Sequence, residues 1–170
     1  MISNAKLISA IALLASCTSV FASPHESGAY IEGNIGTLYE SVDILGIQAS
    51  AFGSLGLNAN LGYQFNRYLA AEAGYTAYGI GETGGIVNGV DAAAKFILPF
   101  QIGESDFSVF AKLGVADLFK GGDNSVTPLA GIGAAYAITP NLDLNVQAQG
   151  VTEGFFSLGL LSTGLTYHFN

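Results

Sequence analysis

The sequence has no tryptophan, one cysteine and only five basic residues in 170. The cysteine, Cys17, lies in the N-terminal leader, so with cleavage after Ala22 no disulfide can staple the mature fold. Beyond that point Arg67, Lys95, Lys112 and Lys120 face thirteen acids. A balance that acidic argues against nucleic acid as a partner, because phosphate binding needs a basic surface. No segment after the leader runs to about 18 consecutive uncharged apolar residues, so no transmembrane helix is expected. Yet half of the residues are hydrophobic, and the 23 glycines form no low-complexity run. High hydrophobicity without a long apolar run fits strands whose outer face meets lipid.

Residues 1–22 have the three parts of a secretory signal. Lys6 supplies the positive region, Leu7 to Ala15 the short apolar core, and Val20-Phe21-Ala22 the cleavage site. A competing pattern, Leu14-Ala15-Ser16-Cys17, resembles a lipoprotein box with Cys17 as the lipidated residue. With cleavage after Ala22, residues 23–170 make one domain by length.

The clearest pattern in that domain is Leu142-Asp143-Leu144-Asn145-Val146-Gln147-Ala148-Gln149, apolar and polar residues alternating at period two. That period gives a strand with one apolar and one polar face. Eight such segments are expected, at roughly 29–39, 51–65, 68–80, 87–100, 106–119, 126–138, 142–151 and 156–169. Each is long enough to cross a hydrocarbon core as a tilted strand, which takes about 9–11 residues. Tight connections at 66–67, 101–105 and 139–141 alternate with looser segments at 40–50, 81–86, 120–125 and 152–155. The expected fold is all-β: an eight-stranded antiparallel up-and-down transmembrane β-barrel, with turns on the periplasmic side and longer loops outside.

Alternation then assigns the faces. Glu32, Glu72, Asp91, Lys95, Lys112 and Asp143 fall on the polar face. A lysine or arginine facing lipid near the midplane costs about 2–4 kcal/mol, so these residues are expected to point into the lumen. Counting from the tight turns puts Glu72, Lys95 and Lys112 at similar depth and Asp143 somewhat lower. An interior carboxylate–lysine network follows, with Glu32 and Asp143 available to balance the second lysine. Aromatics gather at strand ends: Tyr63, Phe65, Tyr68, Phe100, Phe107, Tyr136, Tyr167 and Phe169 near the turns, and Tyr39, Tyr78 and Phe119 near the loops. Two such bands are expected to form interfacial girdles.

Three stretches carry a family resemblance. They are Leu61-Gly62-Tyr63-Gln64-Phe65-Asn66-Arg67-Tyr68-Leu69-Ala70-Ala71-Glu72-Ala73-Gly74-Tyr75, Gly131-Ile132-Gly133-Ala134-Ala135-Tyr136-Ala137-Ile138-Thr139-Pro140-Asn141-Leu142, and the terminal Tyr167-His168-Phe169. Together they resemble the OmpA-like and opacity-type bacterial outer-membrane barrels. The resemblance implies location in the outer membrane, contact with its lipid, and recognition of the aromatic terminus by the outer-membrane assembly machinery. A surface ligand of unknown kind is also compatible with it. The family usually ends on the aromatic itself, whereas Asn170 follows here.

Chemistry is poorly supported. Only His25 and His168 could serve as an imidazole base, and no serine lies within five positions of His168. No His/Cys/carboxylate spacing resembles a metal site, and Gly131-Ile132-Gly133 fits no phosphate or dinucleotide fingerprint. No catalytic residue, metal or cofactor is expected. The leading function is a structural outer-membrane barrel that supports envelope integrity, displays short loops and holds an ion-paired lumen. A narrow channel for ions or small solutes and a soluble lipid-binding barrel remain open on sequence alone.

Overall fold

The computed structural model describes residues 27–44, 47–80, 86–103, 105–120, 123–153 and 156–169. The expected signal with Cys17 and Ala22 lies outside them, as do His25, most of segment 81–86 and Gly121-Gly122. Eight strands follow one another: β1 (Gly28–Ile44), β2 (Ile47–Asn66), β3 (Leu69–Ile80), β4 (Val87–Ile102), β5 (Ser105–Lys120), β6 (Asp123–Thr139), β7 (Leu142–Glu153) and β8 (Phe156–Phe169). Each pairs antiparallel with the next, and β8 returns to β1 from Ala29↔Phe169 to Val42↔Phe156. Closure leaves the sheet without an open edge, the condition for crossing lipid without helices.

The turns follow from local chemistry. The Tyr68 amide donates to Asn66 Oδ1 at 2.8 Å, an Asx turn that closes β2 onto β3. Gly103, with φ of 64°, makes the tight reversal between β4 and β5. The Asn141 amide donates to Thr139 Oγ1 at 3.4 Å, and Asn141 Nδ2 reaches the His168 carbonyl at 3.1 Å. One expected loop is mostly strand. Segment 40–50 continues the β1–β2 ladder from Glu40↔Ala51 to Ile44↔Ile47. Its acids and serines look like loop residues, but polar side chains do not prevent two backbones from pairing. Near the loop end of β3 a bulge falls at Gly79, opposite Leu55 and Gly56 of β2, and its φ of 82° suits glycine.

The wall is inside-out relative to a water-soluble protein. Outward residues include Ile31, Leu57, Leu61, Leu98, Leu113, Ile132 and Val146, all exposed, while Glu32, Asn58, Lys112, Asn145 and Gln147 are buried. Most of the expected girdle faces outward. Near the turns the rings touch across strands, with Phe100 stacked on Phe107 at 5.8 Å and Phe107 meeting Tyr136 at 5.0 Å, and along strands, with Tyr63 meeting Phe65 at 5.4 Å and Tyr167 meeting Phe169 at 5.2 Å. Tyr68 lies under the Arg67 guanidinium at 4.9 Å. Tyr39 and Phe119 are exposed toward the loops.

Tyr78 corrects the girdle assignment. It is 1 % exposed and points into the barrel. It shares the phase of Glu72 and Thr76 on β3, and phase decides the face regardless of nearness to a strand end. There it joins an interior cluster with Leu38, Ala93, Ala116, Leu129, Val151, Leu158 and Leu160, against which Val87 and Leu118 pack. These residues come from every strand except β2, so the cluster spans the lumen. The loop half of the lumen therefore holds an apolar cluster, with Ser54, Asp91, Thr127 and Gln149 buried beside it, and the main polar layer lies below.

Candidate functional site

Glu32 stands at the centre of the polar layer and is fully buried. Its Oε2 lies 3.0 Å from Lys95 Nζ and its Oε1 3.2 Å from Lys112 Nζ. Glu72 completes the set, with Oε1 at 2.9 Å from Lys95 Nζ and Oε2 at 2.7 Å from Lys112 Nζ. Each lysine touches both carboxylates, so two positive and two negative charges form a closed, neutral quartet. Register explains how they meet. Lys95 pairs directly with Lys112 across β4 and β5, while Glu72 sits diagonal to Lys95, opposite Ala93. Two adjacent lysines would repel, and each carboxylate bridges them.

Neutral groups hold the quartet in place. The Tyr30 hydroxyl donates to Glu72 Oε1 at 2.6 Å. Asn34, Asn60 and Gln147 each donate a side-chain N–H to Glu32 Oε1, at 2.8, 3.0 and 3.1 Å, and Thr166 donates to Glu32 Oε2 at 3.3 Å. The Phe110 ring lies 4.3 Å from Lys95 Nζ and 5.5 Å from Lys112 Nζ, and offers both its negative face. Glycines make room for these rings. A Cβ at Gly62 would collide with Tyr30, and one at Gly133 with Phe110. Buried ions are tolerable only when paired and hydrogen-bonded, and here both conditions hold.

Two residues expected in the network stand apart from the quartet. Asp91 accepts from Thr76 Oγ1 at 3.4 Å, and Thr76 in turn accepts from Asn58 and Gln149. Asp143 does not balance a lysine. Its Oδ2 lies 3.0 Å from His168 Nε2. The physical reason is depth, because Asp143 is the second residue of β7 and its rung lies next to the turn. His168 packs against Tyr30 with ring centroids 5.4 Å apart. Below the quartet the lumen opens at the turn end into a cavity of about 690 Å³, whose wall includes Lys95, Phe110, Asp143, Asn145, Thr166 and His168.

Tyr30, Phe110, the amides around Glu32 and the apolar layer carry as much of the site as the expected charges. A signal for Tyr30 and Phe110 exists in the sequence. Each shares the phase of an inward charge on its own strand, Glu32 and Lys112 respectively. Among the described residues, no group of three or more His, Cys, Asp or Glu side chains could hold a metal ion.

Residues 46–154 match the model of the OmpA-like transmembrane domain. The chain is 31 % identical to Outer membrane protein A of Yersinia pseudotuberculosis over 192 aligned positions, covering 94 % of this chain and 54 % of that protein. It spans about half or less of the length of the curated relatives it matches. Among solved structures it is similar to Neisserial surface protein A, with a TM-score of 0.57 and 21 % identity, covering 84 % of this chain and 99 % of the other. It is also similar to Ail, the attachment invasion locus protein of Yersinia pestis, with a TM-score of 0.54, 19 % identity and the same coverage. At these identities the two structures establish the fold alone.

Proposed function

This chain belongs to the OmpA-like transmembrane-domain family of bacterial outer-membrane barrels, and on that premise we propose that it is a structural, non-conducting barrel that contributes to envelope integrity. Its place in the outer membrane, with apolar residues such as Leu61, Leu113 and Ile132 turned outward, overturns the soluble lipid-binding barrel that sequence alone left open. The observation that carries the non-conducting reading is the filled lumen, with the Glu32–Lys95–Glu72–Lys112 quartet under an apolar layer drawn from seven strands. An ion crossing the lumen would meet both.

The same reading makes the protein no enzyme. His168 has Asp143 and Tyr30 as its neighbours, and Ser162 lies three rungs further along the inward face of β8. The turns lie on the periplasmic side and the loop end faces outward, where it is free to meet a surface ligand. Tyr167 and Phe169, both exposed on the outer wall of β8, are the aromatic residues that the assembly machinery would read. An epitope inserted at Gly121-Gly122 should be reachable on intact cells, and exposure only after permeabilisation would reverse the orientation.

The functional test is electrical. Refolded protein in a planar bilayer should seal without resolved current steps. Steps of stable, reproducible conductance would replace this reading with the narrow channel.

A further inference from the structure

Among the described residues, four buried side-chain oxygens have no hydrogen-bond partner: Asn34 Oδ1, Asn145 Oδ1, Gln147 Oε1 and Ser162 Oγ. All four residues are at most 5 % exposed. They are not scattered. Asn34 and Asn145 flank Gly164 in one rung, while Gln147 pairs with Ser162 in the next, so all four lie on the joined strands β7, β8 and β1.

Their orientation is forced. Asn34 and Gln147 direct their N–H groups at Glu32, and flipping either amide would press a carbonyl oxygen against a carboxylate. Asn145 donates to Thr166 Oγ1 at 3.1 Å, and Thr166 passes its own proton toward Glu32. The acceptor oxygens are thereby turned away from the quartet. A buried acceptor without a donor is costly, and water is the usual donor in a polar recess.

Access and termination are both visible. Asn145 and Thr166 line the 690 Å³ cavity at the turn end, while Asn34, Gln147 and Ser162 lie beyond its wall. The rung above Gly36 and Ser162 is Leu38↔Leu160, where the apolar cluster begins.

We propose that water entering from the turn end occupies the β7–β8–β1 wall as far as the Gln147–Ser162 rung, and that the seal of this barrel is the Leu38–Leu160 apolar layer rather than the ion quartet. Amide and hydroxyl groups lining a recess do not exclude water. An apolar constriction does, by dewetting. The quartet then fastens the wall and the apolar layer closes it.

The proposal rests on the non-conducting reading, so the experiment keeps the two apart. Three proteins are compared in planar bilayers: the unaltered chain, Leu38→Ser with Leu160→Ser, and Lys95→Met with Glu72→Gln. Heat-modifiable gel mobility verifies folding of each. With a silent unaltered chain, the proposal expects current steps from the Leu38/Leu160 variant and silence from the Lys95/Glu72 variant. Any other pattern from the two variants overturns it. Current from the unaltered chain would instead defeat the non-conducting reading.

Should a variant fail to fold, water-to-protein NMR cross-peaks decide the matter on the unaltered chain. Cross-peaks are expected at the Asn145 and Gln147 side-chain amides and not at the Leu38 and Leu160 methyls. Dry amides, or wet methyls, would overturn the proposal.

Discussion

The two halves of the lumen are lined by the same eight strands and obey opposite chemistry. Toward the turns, inward positions carry Tyr30, Glu32, Glu72, Lys95, Lys112 and Asn145; toward the loops, the same faces carry mainly Leu38, Tyr78, Leu129, Val151, Leu158 and Leu160, with Ser54, Asp91 and Thr127 as the polar exceptions. The lower half is held by directional bonds between a few charged and amide groups. The upper half is held by packing, which is close and non-directional. The difference teaches that phase along a strand sets which face a residue occupies, while depth decides what chemistry that face contains.

That contrast can be broken from either side. The largest effect is expected at Glu32, which touches both lysines and four neutral donors. Glu32→Gln leaves the second lysine without its share of negative charge and should destabilise the barrel by about 3–5 kcal/mol. Urea unfolding in lipid vesicles measures it, and a loss under about 1 kcal/mol would mean that water screens the quartet.

A smaller loss is expected in the packed half. Leu160→Ala removes a 1 % exposed side chain from the apolar layer and should cost about 2–4 kcal/mol. The site meets Gly56, where an added Cβ would itself collide with the Leu160 side chain, so the surroundings are tightly filled. Because packing and ion pairing occupy different layers, this loss should add to that of Glu32→Gln within about 0.5 kcal/mol. Strong coupling between the two would erase the division into halves.

The smallest effect belongs to the mouth of the lower half. The Asp143–His168 pair is roughly one quarter exposed on each side chain. Asp143→Asn should change stability by about 1 kcal/mol or less in the same unfolding assay. A loss as large as that at Glu32 would tie Asp143 to the quartet after all.

Much of the fold was legible because a membrane barrel imposes strict alternation, and alternation is visible in single letters. Eight segments, three tight turns and the inward charges all follow from it. The meeting of Glu72, Lys95 and Lys112 was legible too, because short turns make counting residues equivalent to measuring depth. The same counting placed Asp143 lower, and only its assignment to a lysine failed, because at that depth it meets His168 across β7 and β8. Tyr78 sits near a strand end but in the inward phase of β3, and phase decides its face.

The apolar layer was not legible at all. Leu158-Gly159-Leu160-Leu161 and Thr37-Leu38-Tyr39 put apolar side chains on both faces, so alternation vanishes where the lumen itself turns apolar. The β1–β2 extension was hidden for a related reason. Beyond the hydrocarbon core no face must be apolar, so a strand there carries no pattern.

The most direct test of a coupled, neutral quartet is a double-mutant cycle on Lys95 and Glu72, joined at 2.9 Å. Unfolding free energies of Lys95→Met, Glu72→Gln and the double variant are measured in the same lipid. The quartet predicts that the double variant loses less than the two single losses combined, by about 1–3 kcal/mol. Simple additivity would mean that the charges stand in the lumen independently, and the account of a filled, ion-paired interior would be wrong.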